Sequence, residues 1–81
     1  MWHVYIIRCA DGTLYTGITN DLERRIKEHN TSVVGSKYVK ARRPVSLVYS
    51  REAADRSEAS KEESRIKKLS RQEKLSLIQN G

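Results

Sequence analysis

The stretch Val4-Tyr5-Ile6-Ile7-Arg8-Cys9-Ala10-Asp11-Gly12-Thr13-Leu14-Tyr15-Thr16-Gly17-Ile18 decides how this chain folds. Residues 2–9 are rich in β-branched and aromatic side chains, which suit a pleated, half-buried surface. Residues 14–18 have the same character, and Ala10-Asp11-Gly12-Thr13 between them is a turn. The two runs read as a hairpin whose register depends on loop length, because side chains alternate with period two. A two-residue Asp11-Gly12 loop pairs Ala10 with Thr13 and puts Tyr5 and Tyr15 on opposite faces. A three-residue loop of Ala10, Asp11 and Gly12 pairs Cys9 with Thr13, so that Ile7 faces Tyr15 and Tyr5 faces Gly17. Gly12 suits the left-handed position that the longer turn requires. The expectation is therefore the three-residue loop, with both tyrosines on one face and Gly17 leaving room beside Tyr5.

Downstream, Asn20 with Glu23 three residues later reads as a capping box opening a helix to about Asn30, with Leu22 and Ile26 on its inner face. Residues 31–43 are basic, contain Gly35, end before Pro44, and read as a loop with one helical turn. Residues 45–50 alternate weakly and predict a third strand. Ser57 is placed as the cap of a helix to about Leu69 with Ala59, Ile66 and Leu69 as its apolar stripe. Ser70 with Glu73 is a second capping box, starting a helix through Leu75 and Ile78. The order ββαβαα predicts an α/β (α+β) domain over residues 1–81, a three-stranded, mostly antiparallel sheet flanked by helices.

Composition bounds what such a domain does. With 81 residues and 37% apolar side chains, including no Phe, the core comes from Ile, Val, Leu and a few aromatics. Sixteen Lys and Arg against ten Asp and Glu leave a net charge of +6, which suits a polyanionic partner such as nucleic acid. The single Cys9 excludes an intrachain disulfide and, with only His3 and His29, a zinc site of Cys/His spacing. No apolar run is long enough for a membrane span and no signal-peptide pattern opens the chain, so a cytoplasmic location is expected.

Three groups carry chemistry. Tyr5 and Tyr15 flank the turn. Arg25 and His29, four apart, share a helix face bordering the apolar stripe, where a guanidinium fork can hold phosphate and an imidazole can move a proton. Glu62 lies near the centre of the later stripe and Glu63 at its edge, where a carboxylate reaches a cleft while its stem stays packed. Tyr38 among Lys37, Lys40, Arg42 and Arg43 suits stacking on a base with cations on the phosphates. Each group also has an ordinary reading as a strand filler or a solvated helix face. His3 and Cys9 read as plain strand residues, and Tyr49 as packing.

Tyr5, Tyr15, Gly17, Arg25, His29 and Glu63 together resemble the GIY-YIG nuclease family, named for two tripeptides on its first hairpin. They stand here as Val4-Tyr5-Ile6 and Tyr15-Thr16-Gly17. The likeness covers nearly the whole chain and is strongest to small stand-alone bacterial members, with Leu14-Tyr15-Thr16-Gly17-Ile18-Thr19, Asp21-Leu22-x-x-Arg25, Ala41-Arg42-Arg43-Pro44 and Glu63 before Ile66-Lys67. Ile6 and Thr16 depart from the tripeptides, and Ile18 stands where repair-type relatives carry Lys. The resemblance implies a phosphodiester endonuclease acting on DNA, as in DNA repair, with one Mg²⁺ or Mn²⁺. It implies Tyr5 as the base that activates water, Tyr15 in support, Arg25 on the phosphate charge, His29 assisting proton transfer, and Glu63 as the metal's only protein ligand. A nucleic-acid-binding module that has kept the fold without useful activity is the alternative, followed by an adaptor for an acidic protein partner.

Overall fold

The structure is a computed structural model that describes residues 1–31 and 37–80; the side chains of Lys37 and Tyr38 lie outside the described residues. Seven elements follow in the order β1 (Trp2–Arg8), β2 (Leu14–Thr19), α1 (Leu22–Thr31), α2 (Lys37–Lys40), β3 (Ser46–Ala53), α3 (Arg56–Lys67) and α4 (Arg71–Asn80). The sheet order is β2-β1-β3, and both pairings are antiparallel. The connection from β2 to β3 therefore carries α1 and α2 from one sheet edge to the other.

The hairpin has the three-residue loop. Cys9 N donates to Thr13 O at 2.9 Å, Gly12 N donates to Cys9 O at 2.9 Å, and Gly12 sits at φ +86°. Only a residue without Cβ adopts that φ at little cost. The register follows: Ile7 opposes Tyr15 and Tyr5 opposes Gly17.

As the central strand, β1 is covered on both faces, and Val4, Tyr5, Ile6 and Ile7 are all at most 1% exposed. Tyr5, Ile7 and Cys9 pack with Val39 of α2, Val45, Tyr15, and Leu22 and Ile26 of α1. Val4 and Ile6 pack on the other face with Tyr49, Ile66 of α3, and Leu77 and Ile78 of α4. Full burial of one such aliphatic side chain is worth about 1.5–3 kcal/mol, so the two half-cores clamp the hairpin from both sides. On β3 the register shifts by one residue between the partners of Ile6 and Ile7, which are Tyr49 and Leu47. Val48 and Tyr49 consequently both serve the second core.

Two helix starts differ from expectation. Asp21, not Asn20, caps α1: its Oδ1 accepts from Arg24 N at 3.1 Å. The Thr19 hydroxyl accepts from Asp21 N at 3.1 Å, so β2 runs one residue further and the cap moves with it. Asp55, not Ser57, caps α3, accepting from Glu58 N at 2.8 Å from extended backbone. Asp and Ser are near-equal caps, so the residue that first leaves the strand conformation takes the role. The Ser70/Glu73 box forms as expected, with Ser70 N donating to Glu73 Oε1 at 3.0 Å and Glu73 N to Ser70 Oγ at 3.1 Å. The basic stretch does hold one short helix, α2, while residues 32–36 of that expected loop lie outside the described residues. The third strand is longer than expected, reaching Ala53, because β1 offers pairing partners as far as Trp2.

Candidate active site

Tyr5 lies across the backbone of its cross-strand partner. A Cβ at Gly17 would meet the Tyr5 hydroxyl oxygen at 2.6 Å and Cζ at 2.8 Å, so the glycine is what lets the ring lie flat on β2. The ring is 1% exposed, and its hydroxyl lies 2.9 Å from Nε2 of His29. His29 is fully buried, with its ring tilted against Tyr5 and edge-on to Tyr15 at 5.6 Å between centroids. The imidazole thus sits between the two tyrosines, which the register has placed on one face. Tyr15 is only half-buried.

Burial pushes the His29 pKa down from 6.5 to about 4, and the nearby Arg25 guanidinium adds to that, so the ring is neutral at physiological pH. A neutral ring has one donor and one acceptor nitrogen. Where the Tyr5 hydroxyl donates to Nε2, Nδ1 carries the ring's proton; Nδ1 has no hydrogen-bond partner among the described residues. Burial also raises the Tyr5 pKa above its ordinary value, while the Arg25 guanidinium, within hydrogen-bonding reach, pulls it back. At neutral pH Tyr5 therefore keeps its hydroxyl proton. Its hydroxyl works as one member of a Tyr5–His29 pair.

Arg25 stands one helical turn before His29 and is partly buried, with its Nη1 3.4 Å from Glu28 Oε1. Its own burial disfavours the charge, but bonding to Tyr5 and Glu28 outweighs that, so the guanidinium stays charged beside the tyrosine. The imidazole behind it is fixed by backbone work at the end of α1. Arg43 Nε donates to His29 O and Arg43 Nη2 to Glu28 O at 3.3 Å, capping two terminal carbonyls. Asn30 pairs with Val45 in both directions, Nδ2 to Val45 O at 3.1 Å and Val45 N to Oδ1 at 2.8 Å. Sequence reading missed both anchors, since neither Arg43 nor Asn30 has a local pattern pointing to a partner about fifteen residues away.

The two neighbouring carboxylates of α3 part company. Glu62 turns toward the β3 side, where Arg65 Nε donates to it at 2.9 Å and the guanidinium holds its carboxyl below the usual range. Glu63 pairs instead with Lys67, and its charge acts on the Tyr5 hydroxyl from a distance. Its side chain is 23% exposed, and its Oε2 lies 3.4 Å from Lys67 Nζ. Among the described residues no three His, Cys, Asp or Glu side chains gather as a metal site. A hard divalent cation that keeps most of its waters needs only one or two carboxylates, so the partly exposed Glu63 fits such an ion.

Of the expected nucleic-acid contacts, Lys40 is exposed on α2. Arg42 is engaged with Asp11, its Nε 3.0 Å from Oδ2, while its carbonyl accepts from Ala10 N at 2.8 Å. Arg42 and Arg43 thus tie the basic segment to the hairpin turn and to α1. The expected contacts of the Lys37 and Tyr38 side chains fall outside the described residues. Among the described residues, no helix is long and apolar enough to cross a membrane.

Comparison with known proteins agrees with this geometry. A UPF0213 protein of Desulfotalea psychrophila is 58% identical over 77 residues, covering 95% of this chain and 70% of that protein. One from Staphylococcus saprophyticus is 52% identical, covering 98% of this chain and 95% of that one. The solution structure of a UPF0213 protein from Bacillus halodurans superposes with a TM-score of 0.62 at 42% identity, over 98% of this chain and 84% of that one. It has the same compact α+β fold. The family model described as the GIY-YIG catalytic domain matches residues 1–76. The chain therefore belongs to the GIY-YIG domain family, whose members are commonly nucleases, and its relatives are the small UPF0213 proteins.

Proposed function

We propose that this chain is a metal-dependent endonuclease that cleaves phosphodiester bonds in DNA. One observation carries the reading: Tyr5, Tyr15, Arg25 and His29 gather on one face of the hairpin around a single hydroxyl–imidazole contact, and the charge of Glu63, from α3, acts on that same hydroxyl. Packing alone has no need of a guanidinium and a carboxylate at that place.

Arg25 binds a phosphate oxygen and offsets the charge that builds there during attack. A neutral tyrosine with a pKa near 10 or above is a weak base. The Tyr5–His29 contact answers this: as the Tyr5 oxygen takes a proton from the attacking water, its own proton passes to His29 Nε2. At pH 7, charging an imidazole with a pKa of about 4 costs about 4 kcal/mol. The anionic phosphate arriving beside Arg25 lowers that cost. Tyr15, nearer the opening, orients the water and the phosphate. Glu63 would hold Mg²⁺ or Mn²⁺, which when bound supplies positive charge against the phosphate and acidifies water.

The test is incubation with branched, nicked, single-stranded and duplex DNA, and RNA controls, in Mg²⁺, Mn²⁺ or chelator. Metal-dependent cleavage lost in Arg25→Ala and Glu63→Ala is expected. Binding without cleavage on every substrate would replace the enzyme with a nucleic-acid-binding module.

A further inference from the structure

Glu62 and Glu63 are adjacent carboxylates with very different counterions. Glu62 is gripped by a guanidinium through both Nε and Nη2 of Arg65. Glu63 is neutralised by the ammonium of Lys67, at 3.4 Å and one turn further along α3. The Glu63 side chain is 23% exposed, whereas that of Lys67 is 55% exposed. Lys is a point charge on a flexible stem, without the planar fork that locks Arg onto a carboxylate. An exposed i,i+4 pair of this kind shifts an equilibrium by only about twofold. It is therefore easily exchanged, yet it occupies the carboxylate whose charge acts on Tyr5.

Resting on the metal-dependent reading above, we propose that Lys67 is an exchangeable counterion for Glu63. It neutralises the carboxylate before cation binding, and it turns to a phosphate of the nucleic acid once a divalent cation takes Glu63. A divalent cation and an ammonium do not share one carboxylate without repulsion, so the exchange couples the two ligands. Each raises the affinity for the other by the same factor. Lys67 lies one turn beyond Glu63 on the same side of α3, so its flexible stem leaves the ammonium beside a phosphate that the cation on Glu63 holds.

Mn²⁺ affinity, read by electron paramagnetic resonance of the free ion, and anisotropy of a labelled single-stranded oligonucleotide at low salt, with and without Ca²⁺, test this on the full chain. Lys67→Gln is expected to bind Mn²⁺ about two- to fivefold more tightly in the absence of DNA, having lost both the competing pair and a like charge. Ca²⁺ should tighten oligonucleotide binding by wild type, and Lys67→Gln should lose most of that gain and lower the salt slope by about one. Unchanged or weaker Mn²⁺ binding by Lys67→Gln, or an undiminished Ca²⁺ gain, overturns the exchange. Glu63→Gln separates the two failures. If it loses Mn²⁺ while Lys67→Gln is unaltered, only the exchange is wrong. If it binds Mn²⁺ like wild type, the metal site itself is wrong and the exchange falls with it. Both substitutions lie on a half-exposed or exposed helix face, and circular dichroism confirms that each variant is folded.

Discussion

Replacing Gly17 by alanine tests the placement of Tyr5 directly. Gly17 has no positive φ, so the backbone accepts alanine, and strand propensity alone would stabilise the domain by about 0.5–1 kcal/mol. Against this stands the new methyl group, 2.6 Å from the Tyr5 oxygen, 2.8 Å from Cζ and 3.1 Å from Cε2. The ring is 1% exposed and has no free direction, so overpacking costs about 1–3 kcal/mol. Displacing the hydroxyl also strands the buried Nε2 of His29, which adds about 1–3 kcal/mol. The net loss is about 1–5 kcal/mol, a large part of the stability of a domain this small. Urea unfolding followed by circular dichroism, with a slope of about 1 kcal/mol per molar, should show the midpoint falling by about 1 M or more. In a Tyr5→Phe background the closest atom is gone and Nε2 is already unpaired, so the same substitution should cost at least about 1 kcal/mol less. If Gly17→Ala is neutral or stabilising in the wild-type background, the ring does not lie on Gly17 and the site geometry described above is wrong.

The buried imidazole makes stability depend on pH. The folded state holds the His29 pKa at about 4, below its ordinary 6.5, so between those values the unfolded chain binds more protons. Stability from this group is full above about pH 6.5 and falls as pH drops toward 4, by up to about 3 kcal/mol; His29→Gln should flatten the difference in urea midpoint between pH 7 and 4.5. Arg43→Ala should cost about 1–3 kcal/mol by uncapping Glu28 O and His29 O. Lys40→Ala, on an exposed side chain, should stay within about 0.5 kcal/mol, and thermal melts of the two variants distinguish structural from surface cations. Glu63→Gln should abolish metal-dependent cleavage by roughly a hundredfold or more, while Glu62→Gln should leave it nearly intact. Equal losses would mean that the split between the two carboxylates has no functional weight.

Local geometry was legible in the sequence because it is set by neighbours along the chain. Alternation with period two and a glycine able to take φ +86° were enough to place Tyr5 opposite Gly17. The Ser70/Glu73 box closed for the same reason, since both partners lie within one turn. Even the misplaced caps at Asn20 and Ser57 were off by only one or two residues, because several capping side chains compete at each helix start. The tertiary structure decided which groups meet across elements. His29 reaches Tyr5 over a separation of 24 residues, and it is buried and neutral only because the sheet and α1 close around it. A helical wheel left Glu62 and Glu63 both near the apolar stripe. The packing of α3 puts Glu62 beside β3 and onto Arg65, and leaves Glu63 with Lys67 as its partner. Arg42 and Arg43 stand in the basic run expected to meet phosphates, and the chain reversal before β3 also brings them onto Asp11 and the end of α1, contacts that no local pattern announced. Periodicity assigns a side chain to a face, but it contains no information about what the opposite element will present to it.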